Sequence, residues 1–247
     1  MNNFTIGITT FSKRYDYLVK LISQIRSFNN SKIILSINGE RGGEFDNEYR
    51  KNIMNLCASY DDVFPTFFIE TRGLCKMWNT ILVTSDTDYV LMLNDDIEIH
   101  SNEIFDVVSR LINDYNFNGL ARINDSFSHF VVDKWVLDSI GYFDERLLGF
   151  GEEDGDITYR LLKKGINLQN IYSNNIINIV SGIRHDYIES GIGKYSKFNR
   201  EYIYSKKYSP NLNSPYRGMF DFPMDQNIND LQQYPSEKFF RDNKNKL

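Results

Sequence analysis

The stretch Tyr89-Val90-Leu91-Met92-Leu93-Asn94-Asp95-Asp96-Ile97-Glu98-Ile99 decides the fold of this chain. Its unbroken apolar run reads as a strand buried on both faces, the kind found at the centre of a layered α/β sheet. The run stops abruptly at Asn94-Asp95-Asp96. Ligands of open α/β sheets gather outside the carboxyl ends of the strands, so these acids stand where a site belongs. Adjacent carboxylates repel each other unless a cation or a set of hydrogen-bond donors offsets them. A divalent ion held by oxygen ligands is the usual means, and such ions commonly bridge to phosphate oxygens. The plainer reading is an Asp-rich turn, because Asp and Asn suit turns. The rest of the chain decides between the two.

Towards the N-terminus, Phe4–Thr10 alternates apolar and small residues as a first strand. Tyr15, Leu18, Val19, Ile22 and Ile25 fall on one face of a helix, and Lys32–Asn38 is a second strand. Asn38-Gly39 and Arg41-Gly42-Gly43 mark a loop. Tyr49, Ile53, Leu56, Cys57 and Tyr60 line the next helix, and Thr66–Glu70 reads as a third strand. Leu74, Met77, Trp78, Ile81 and Leu82 stripe the helix before the organising strand. Strands alternating with helices of this length make βαβ units and a parallel sheet. The Gly-x-Gly-x-x-Gly dinucleotide fingerprint is absent.

Towards the C-terminus the style changes. Ile104, Phe105, Val108, Leu111 and Ile112 give one more amphipathic helix, and Leu120–Ile123 with Phe127–Val132 read as a close, antiparallel strand pair. A helix carrying Ile157, Leu161 and Leu162 closes on Lys163-Lys164-Gly165, good C-terminal capping chemistry. From Ser181 the chain turns polar, aromatic and Asn-rich, and is expected to be irregular, ordered by packing its rings on the domain. The fold class is therefore α/β: a Rossmann-like, mostly parallel central sheet with flanking helices, a smaller antiparallel part and an irregular C-terminal tail.

Composition limits the function. With 247 residues, 41% hydrophobic and 25% charged, the chain can bury the core of one soluble domain. A net charge of −5 gives no general affinity for nucleic acid or anionic membrane, so an anionic ligand needs local design. No apolar run approaches the roughly 18–20 residues that span a bilayer. The N-terminus has no basic-then-apolar leader pattern, and a cytoplasmic location is expected. Cys57 and Cys75 are isolated on apolar helix faces and read as reduced core residues.

Three further features carry chemistry. Glu152, Glu153, Asp154 and Asp156 crowd a helix N-terminus, introduced by Gly149-Phe150-Gly151. The helix dipole favours acids there by about 0.3–1 kcal/mol each, but one or two would satisfy it. A carboxylate among others is a candidate general base. His185 in Gly182-Ile183-Arg184-His185-Asp186 is a candidate ligand, although lone histidines are more often packed or solvated. Basic and aromatic residues interleave from Lys194 to Tyr208, readable as a solvated amphipathic helix or as a mobile basic flap over an anionic leaving group.

Four blocks in order now resemble the GT-A fold glycosyltransferases of the large inverting family 2 type. Gly7-Ile8-Thr9-Thr10-Phe11-Ser12-Lys13-Arg14 resembles the opening strand and loop that meet the nucleotide base. Arg72-Gly73-Leu74-Cys75-Lys76-Met77-Trp78-Asn79 resembles the helix near the nucleotide, and Leu93-Asn94-Asp95-Asp96 the Asp-x-Asp motif whose last acid binds metal. Gly141-Tyr142-Phe143-Asp144-Glu145 followed by Gly151-Glu152-Glu153-Asp154-Gly155-Asp156-Ile157 resembles the acceptor-site block.

The resemblance implies a nucleoside-diphosphate sugar donor, a glycan or lipid-linked saccharide acceptor, inversion, and Mn2+ or Mg2+. It puts Asp154 at the catalytic base with Glu153 and Asp156 in support, and Asp96 and His185 at the metal. Thr9, Thr10, Asn38, Arg72, Asn94 and Asp95 would then meet the nucleotide. The implied organisation is a GT-A domain over 1–190, with a nucleotide-binding half 1–99 and an acceptor-side half 100–190, then a flap and tail over 191–247. No nucleic acid partner is expected, and membrane contact would be peripheral. The chain departs from the pattern at Asn94, where the first acid is expected, and at Asn38, where an acid is expected after the second strand. Those two departures keep a non-catalytic sugar-binding protein on a decayed transferase as a rival. A sugar-phosphate nucleotidyltransferase is the other, although Thr10-Phe11-Ser12-Lys13-Arg14 lacks its glycine-rich loop.

Overall fold

The computed structural model describes residues 4–11, 14–39, 46–114, 117–179 and 192–202. In chain order the elements are β1 Phe4–Thr10, α1 Tyr15–Phe28, β2 Ile33–Ile37, α2 Asn47–Ala58, β3 Val63–Phe67, α3 Leu74–Thr84, β4 Tyr89–Asn94 and β5 Ile97–Ile99. There follow α4 Glu103–Asp114, β6 Leu120–Ile123, β7 Ser126–Asp133, α5 Lys134–Ile140, α6 Glu153–Lys163, β8 Gln169–Ile171, β9 Ile176–Asn178 and α7 Ile192–Tyr202.

Seven strands form one sheet in the order β3-β2-β1-β4-β7-β6-β8, while β5 and β9 make a separate antiparallel ribbon. β1, β2, β3 and β4 are parallel neighbours, as are β6 and β8, and β7 alone runs against its neighbours β4 and β6. The sheet is thus mostly parallel, with its antiparallel part on one side of β4.

β4 is covered twice. Val90, Leu91, Met92 and Leu93 have no exposed surface. Successive strand side chains point to opposite faces. Leu91 and Leu93 therefore join Ile8, Leu18, Leu35 and Ile104 under α1, α2 and α4. Val90 and Met92 join Trp78, Phe130, Leu137 and Ile157 under α3, α5 and α6. Each fully buried side chain of this size contributes about 1.5–3 kcal/mol, so the two cores are what order the sheet. Trp78 anchors the second core, its ring 5.2 Å from Phe130 and 4.8 Å from Phe143.

Three expectations shift. The third strand is Val63–Phe67, in register with Ile33–Ile37, and not Thr66–Glu70. Pro65 stands inside it, tolerated because β3 is a sheet edge where a missing N–H leaves no gap in the ladder. The chain then leaves the sheet because the side chain of Asn38 takes up the backbone of Arg72. Leu162 is 53% exposed, since it sits about 100° round the helix from Leu161, which shares a face with Ile157. Finally α7 is a regular helix where an irregular segment was expected, while Tyr195 packs its ring on the domain as expected and Asn199 is buried with it. The remainder of the expected tail, 181–191 and 203–247, lies outside the described residues.

Candidate functional site

The strand order reverses between β1 and β4: β2 and β3 lie to one side, β7 and β6 to the other. Such a switch point opens a crevice at the carboxyl ends of the strands. Thr9 and Thr10 end β1 there, and Asn94-Asp95-Asp96 ends β4 beside them. Thr9 Oγ1 donates to Asn94 Oδ1 at 3.2 Å, and Thr10 Oγ1 donates to Asp95 Oδ2 at 2.7 Å. Arg14, immediately before α1, donates through Nη1 to Asp95 Oδ1 at 2.7 Å and to Asp96 Oδ2 at 3.2 Å. Both Asp95 oxygens are thereby engaged, which makes Asp95 a brace. Burial lifts its carboxyl to about 6, against the opposing pull of Arg14 and Thr10.

Asp96 differs. Its Oδ1 is buried and finds no hydrogen-bond partner among the described residues. Burying such an oxygen unpaired costs about 1–3 kcal/mol, so a site that keeps it calls for an explanation. A hard divalent cation such as Mn2+ or Mg2+ takes oxygen donors of this kind, and Asp96 fits it. It supplies part of a shell only. Among the described residues no group of three or more His, Cys, Asp and Glu could hold a metal, and His185 lies outside them. Arg14 was quoted in the first sequence block without a role. A basic residue just past the first strand was the available signal.

Asn38 and Arg72 are brought together at the ends of β2 and β3. Asn38 Nδ2 donates to Arg72 O at 2.9 Å, while its Oδ1 accepts from Arg72 N at 2.7 Å and from Gly39 N at 3.0 Å. The amide is occupied in shaping the loop, and the Arg72 side chain, 15% exposed, pairs with Glu70 at 3.4 Å.

From this loop α3 begins, and Leu74 N donates to Gly149 O at 2.6 Å. That bond ties the loop shaped by Asn38 to the segment carrying the acids. Around the start of α3 four acids converge: Cys75 is pushed well up by burial and by Glu153, Asp144, Asp156 and Glu145. Their compensation separates their roles. Asp156 is consumed by Arg160, whose Nε and Nη2 donate to it at 3.1 and 2.9 Å while Nη1 ties down the carbonyls of Ile140 and Gly141. Asp144 pairs with Arg146 at 2.9 Å. Glu145 accepts from Asn79 Nδ2 at 2.9 Å and pairs with Lys76 at 3.3 Å.

Of the four, Glu153 has no cationic partner among the described residues, and neither has its neighbour Asp154. Glu153 is buried and accepts from Gly151 N; burial, Asp154 and Glu152 raise its carboxyl to about 7, against its backbone donors. Asp154 is exposed, with Oδ1 accepting from Gly155 N at 2.8 Å. One carboxylate is thus open to solvent, and its buried neighbour is the one that burial lifts to about 7.

The loop that delivers them is held from outside by α7. Glu152 enters α6 in the left-handed region at φ 75°, a conformation that costs a non-glycine residue of order 1 kcal/mol or more. Its Oε1 accepts from Ser196 Oγ at 2.8 Å and from Arg200 Nη2 at 2.7 Å. Gly149, at φ 57°, has Tyr195 so close that a Cβ would lie 2.5 Å from the ring. Asn199 binds the backbone of Leu148 and Gly151. The sequence marked this helix by its charges and rings and missed Asn199.

No family model matches the chain, and no curated protein matches it in sequence. Solved structures match in fold. The mannosyltransferase PcManGT from Pyrobaculum calidifontis, in complex with GDP-Man and Mn2+, gives a TM-score of 0.62 at 11% identity, over 78% of this chain and 61% of that one. GalNAc-T7 with UDP, GalNAc and Mn2+ gives 0.57 at 11% identity, over 68% of this chain and 42% of that one. S. aureus TarS 1–349 in complex with UDP gives 0.53 at 13% identity, over 69% and 60%. The chain thus spans less than two thirds of the length of each. At these identities the likeness is one of fold, and the fold is GT-A. Among the described residues no helix is long and apolar enough to cross a membrane.

Proposed function

We propose that this chain is a glycosyltransferase that moves a sugar from a nucleoside-diphosphate sugar to a hydroxyl of a glycan or lipid-linked acceptor, with inversion and with a divalent cation. The observation that carries the reading is Asp96 Oδ1, buried at the switch point of a GT-A sheet with no hydrogen-bond partner among the described residues. The donor class draws support from the neighbours in fold, which hold GDP-Man with Mn2+, UDP with GalNAc and Mn2+, and UDP.

In this reading Asp96 holds Mn2+ or Mg2+, with His185 as a further ligand. The cation, when bound, neutralises the diphosphate as it leaves. Thr9, Thr10, Asn94 and Asp95 form the rigid floor beneath the nucleotide. Asn38 sets the loop from which Arg72 reaches the donor. Asp154 takes the proton of the acceptor hydroxyl as that oxygen attacks the anomeric carbon. The bond from that carbon to the diphosphate oxygen breaks with its electron pair, and a single displacement inverts the centre. Glu153 stands behind Asp154 and fixes the loop through Gly151 N. A nucleotide-sugar donor and two free, buried cysteines suit the cytoplasm, with any membrane contact peripheral.

The test is a panel of nucleotide sugars with and without Mn2+, scored by thermal shift and by release of the nucleoside diphosphate. A true donor at a hundredfold excess over Kd stabilises the fold by about 2.7 kcal/mol. Metal-dependent stabilisation by one donor, with slow release of its diphosphate, is expected. A panel in which no nucleotide sugar stabilises the protein overturns the reading.

A further inference from the structure

We infer that Arg14 is a built-in counter-ion that competes with the divalent cation for Asp96, so that metal and nucleoside diphosphate bind this site together and the metal alone binds poorly. The inference rests on the reading of Asp96 as a metal ligand. It starts from the bridge: one guanidinium nitrogen reaches Asp95 at 2.7 Å and Asp96 at 3.2 Å. Among the described residues, two carboxylates and one guanidinium leave the cluster a single negative charge, where a pair of free acids would carry two. Asp96 has one oxygen committed to Arg14 and offers the other.

The guanidinium is not free to withdraw. Arg14 is 7% exposed, and its guanidinium lies 4.6 Å over the Phe11 ring. Asp95, itself held by Thr10, anchors it. Its place in the chain is also costly, because it stands at the N-terminus of α1, where the helix dipole disfavours a cation. Its side chain makes no capping bond there and turns to the acid pair instead. A divalent ion at Asp96 Oδ1 therefore arrives beside a fixed positive charge and is repelled across a buried, weakly screened gap. A diphosphate brings the negative charge that Arg14 has removed. Binding of the two is then coupled, and by linkage each raises the affinity of the other equally.

The experiment measures the Mn2+ dissociation constant by the electron paramagnetic resonance signal of free Mn2+, alone and with UDP or GDP, in the full chain. Wild type, Arg14→Met, Arg14→Lys and Asp96→Asn are compared, with circular dichroism to confirm folding. Arg14→Met should bind Mn2+ alone about tenfold tighter or more, the scale of one nearby charge removed. It should also gain less from the nucleotide than wild type does. Should Arg14→Met fail to fold, Arg14→Lys keeps the test alive: the shorter side chain, held by Asp95, brings its ammonium less close to Asp96, and Mn2+ alone should still bind more tightly than in wild type. If Asp96→Asn weakens Mn2+ binding while neither folded Arg14 variant tightens it, the counter-ion inference is overturned and the metal reading stands. If Asp96→Asn leaves Mn2+ binding unchanged, both are overturned.

Discussion

Asn199 grips Leu148 with both ends of its amide: Oδ1 accepts from Leu148 N at 2.7 Å, and Nδ2 donates to Leu148 O at 2.9 Å. The same Nδ2 reaches Gly151 O at 2.8 Å, and the side chain has no exposed surface. Asn199→Ala would strand an N–H and two carbonyls. A loss of about 2–3 kcal/mol is expected, read from urea unfolding, with faster amide exchange at Leu148. Asn199→Asp should fare no better, because its carboxylate would face two carbonyl oxygens. Unchanged exchange at Leu148 in both variants would show that α7 does not hold the loop.

Asp154 and Glu153 are separable by mutation. Asp154→Asn keeps size and the bond from Gly155 N but cannot accept a proton. Its kcat should fall roughly 10²-fold or more, with donor affinity nearly unchanged. Glu153→Gln keeps the acceptor for Gly151 N and should cost less. The reverse ranking in steady-state kinetics would make Glu153 the base.

Glu153 also gives the protein a pH signature. Its folded carboxyl sits at about 7 against an ordinary 4.5, so the folded state binds the proton more readily than the unfolded one. Its contribution to stability is fully present below 4.5 and is lost as pH rises through 7, up to roughly 3 kcal/mol. Glu153→Gln should remove that slope and raise stability at pH 8. Chemical denaturation at pH 5 and pH 8 checks it, and parallel profiles for wild type and variant would contradict it.

His129 acts in the opposite sense. It lies on β7 opposite Leu93, it is buried, and neither ring nitrogen finds a partner among the described residues. Burial lowers its imidazole to about 4 from 6.5, so it folds neutral. Stability from this group is complete above 6.5 and is lost as pH falls towards 4, again by roughly 3 kcal/mol. His129→Leu should be neutral or stabilising at pH 7, since an unpaired polar ring is replaced by an apolar one. It should also flatten the acid limb of the unfolding profile. A variant that unfolds in acid as wild type does would place the acid sensitivity elsewhere.

The sheet was legible because its signal is local. Four apolar residues in a row at 90–93 need cover on both faces whatever lies far away in the chain, and the acids that follow mark the strand's end. The same holds for the helical stripes, whose period of 3.6 is a property of a few consecutive residues. β3 was misplaced where that logic thins, because a Pro in a strand is permitted or forbidden by its position in the sheet, and an edge is a tertiary fact.

What the acids and amides do was decided only in the folded chain. Asp156 reads as a site acid until Arg160 is seen to consume it, and Asn38 reads as a nucleotide contact until Arg72 occupies its amide. Arg14 meets Asp95 across 81 residues, and Asn199 meets Leu148 across 51. A polar side chain has the same letter in the sequence whether water, a backbone carbonyl or an opposite charge will face it. Spacing along the chain therefore determined β1, β2, β4, β6 and β7, the helices with a clear apolar stripe, and the end of β4. Which carboxylate is braced, which is paired and which is left open depended on the partners that packing brought opposite each one.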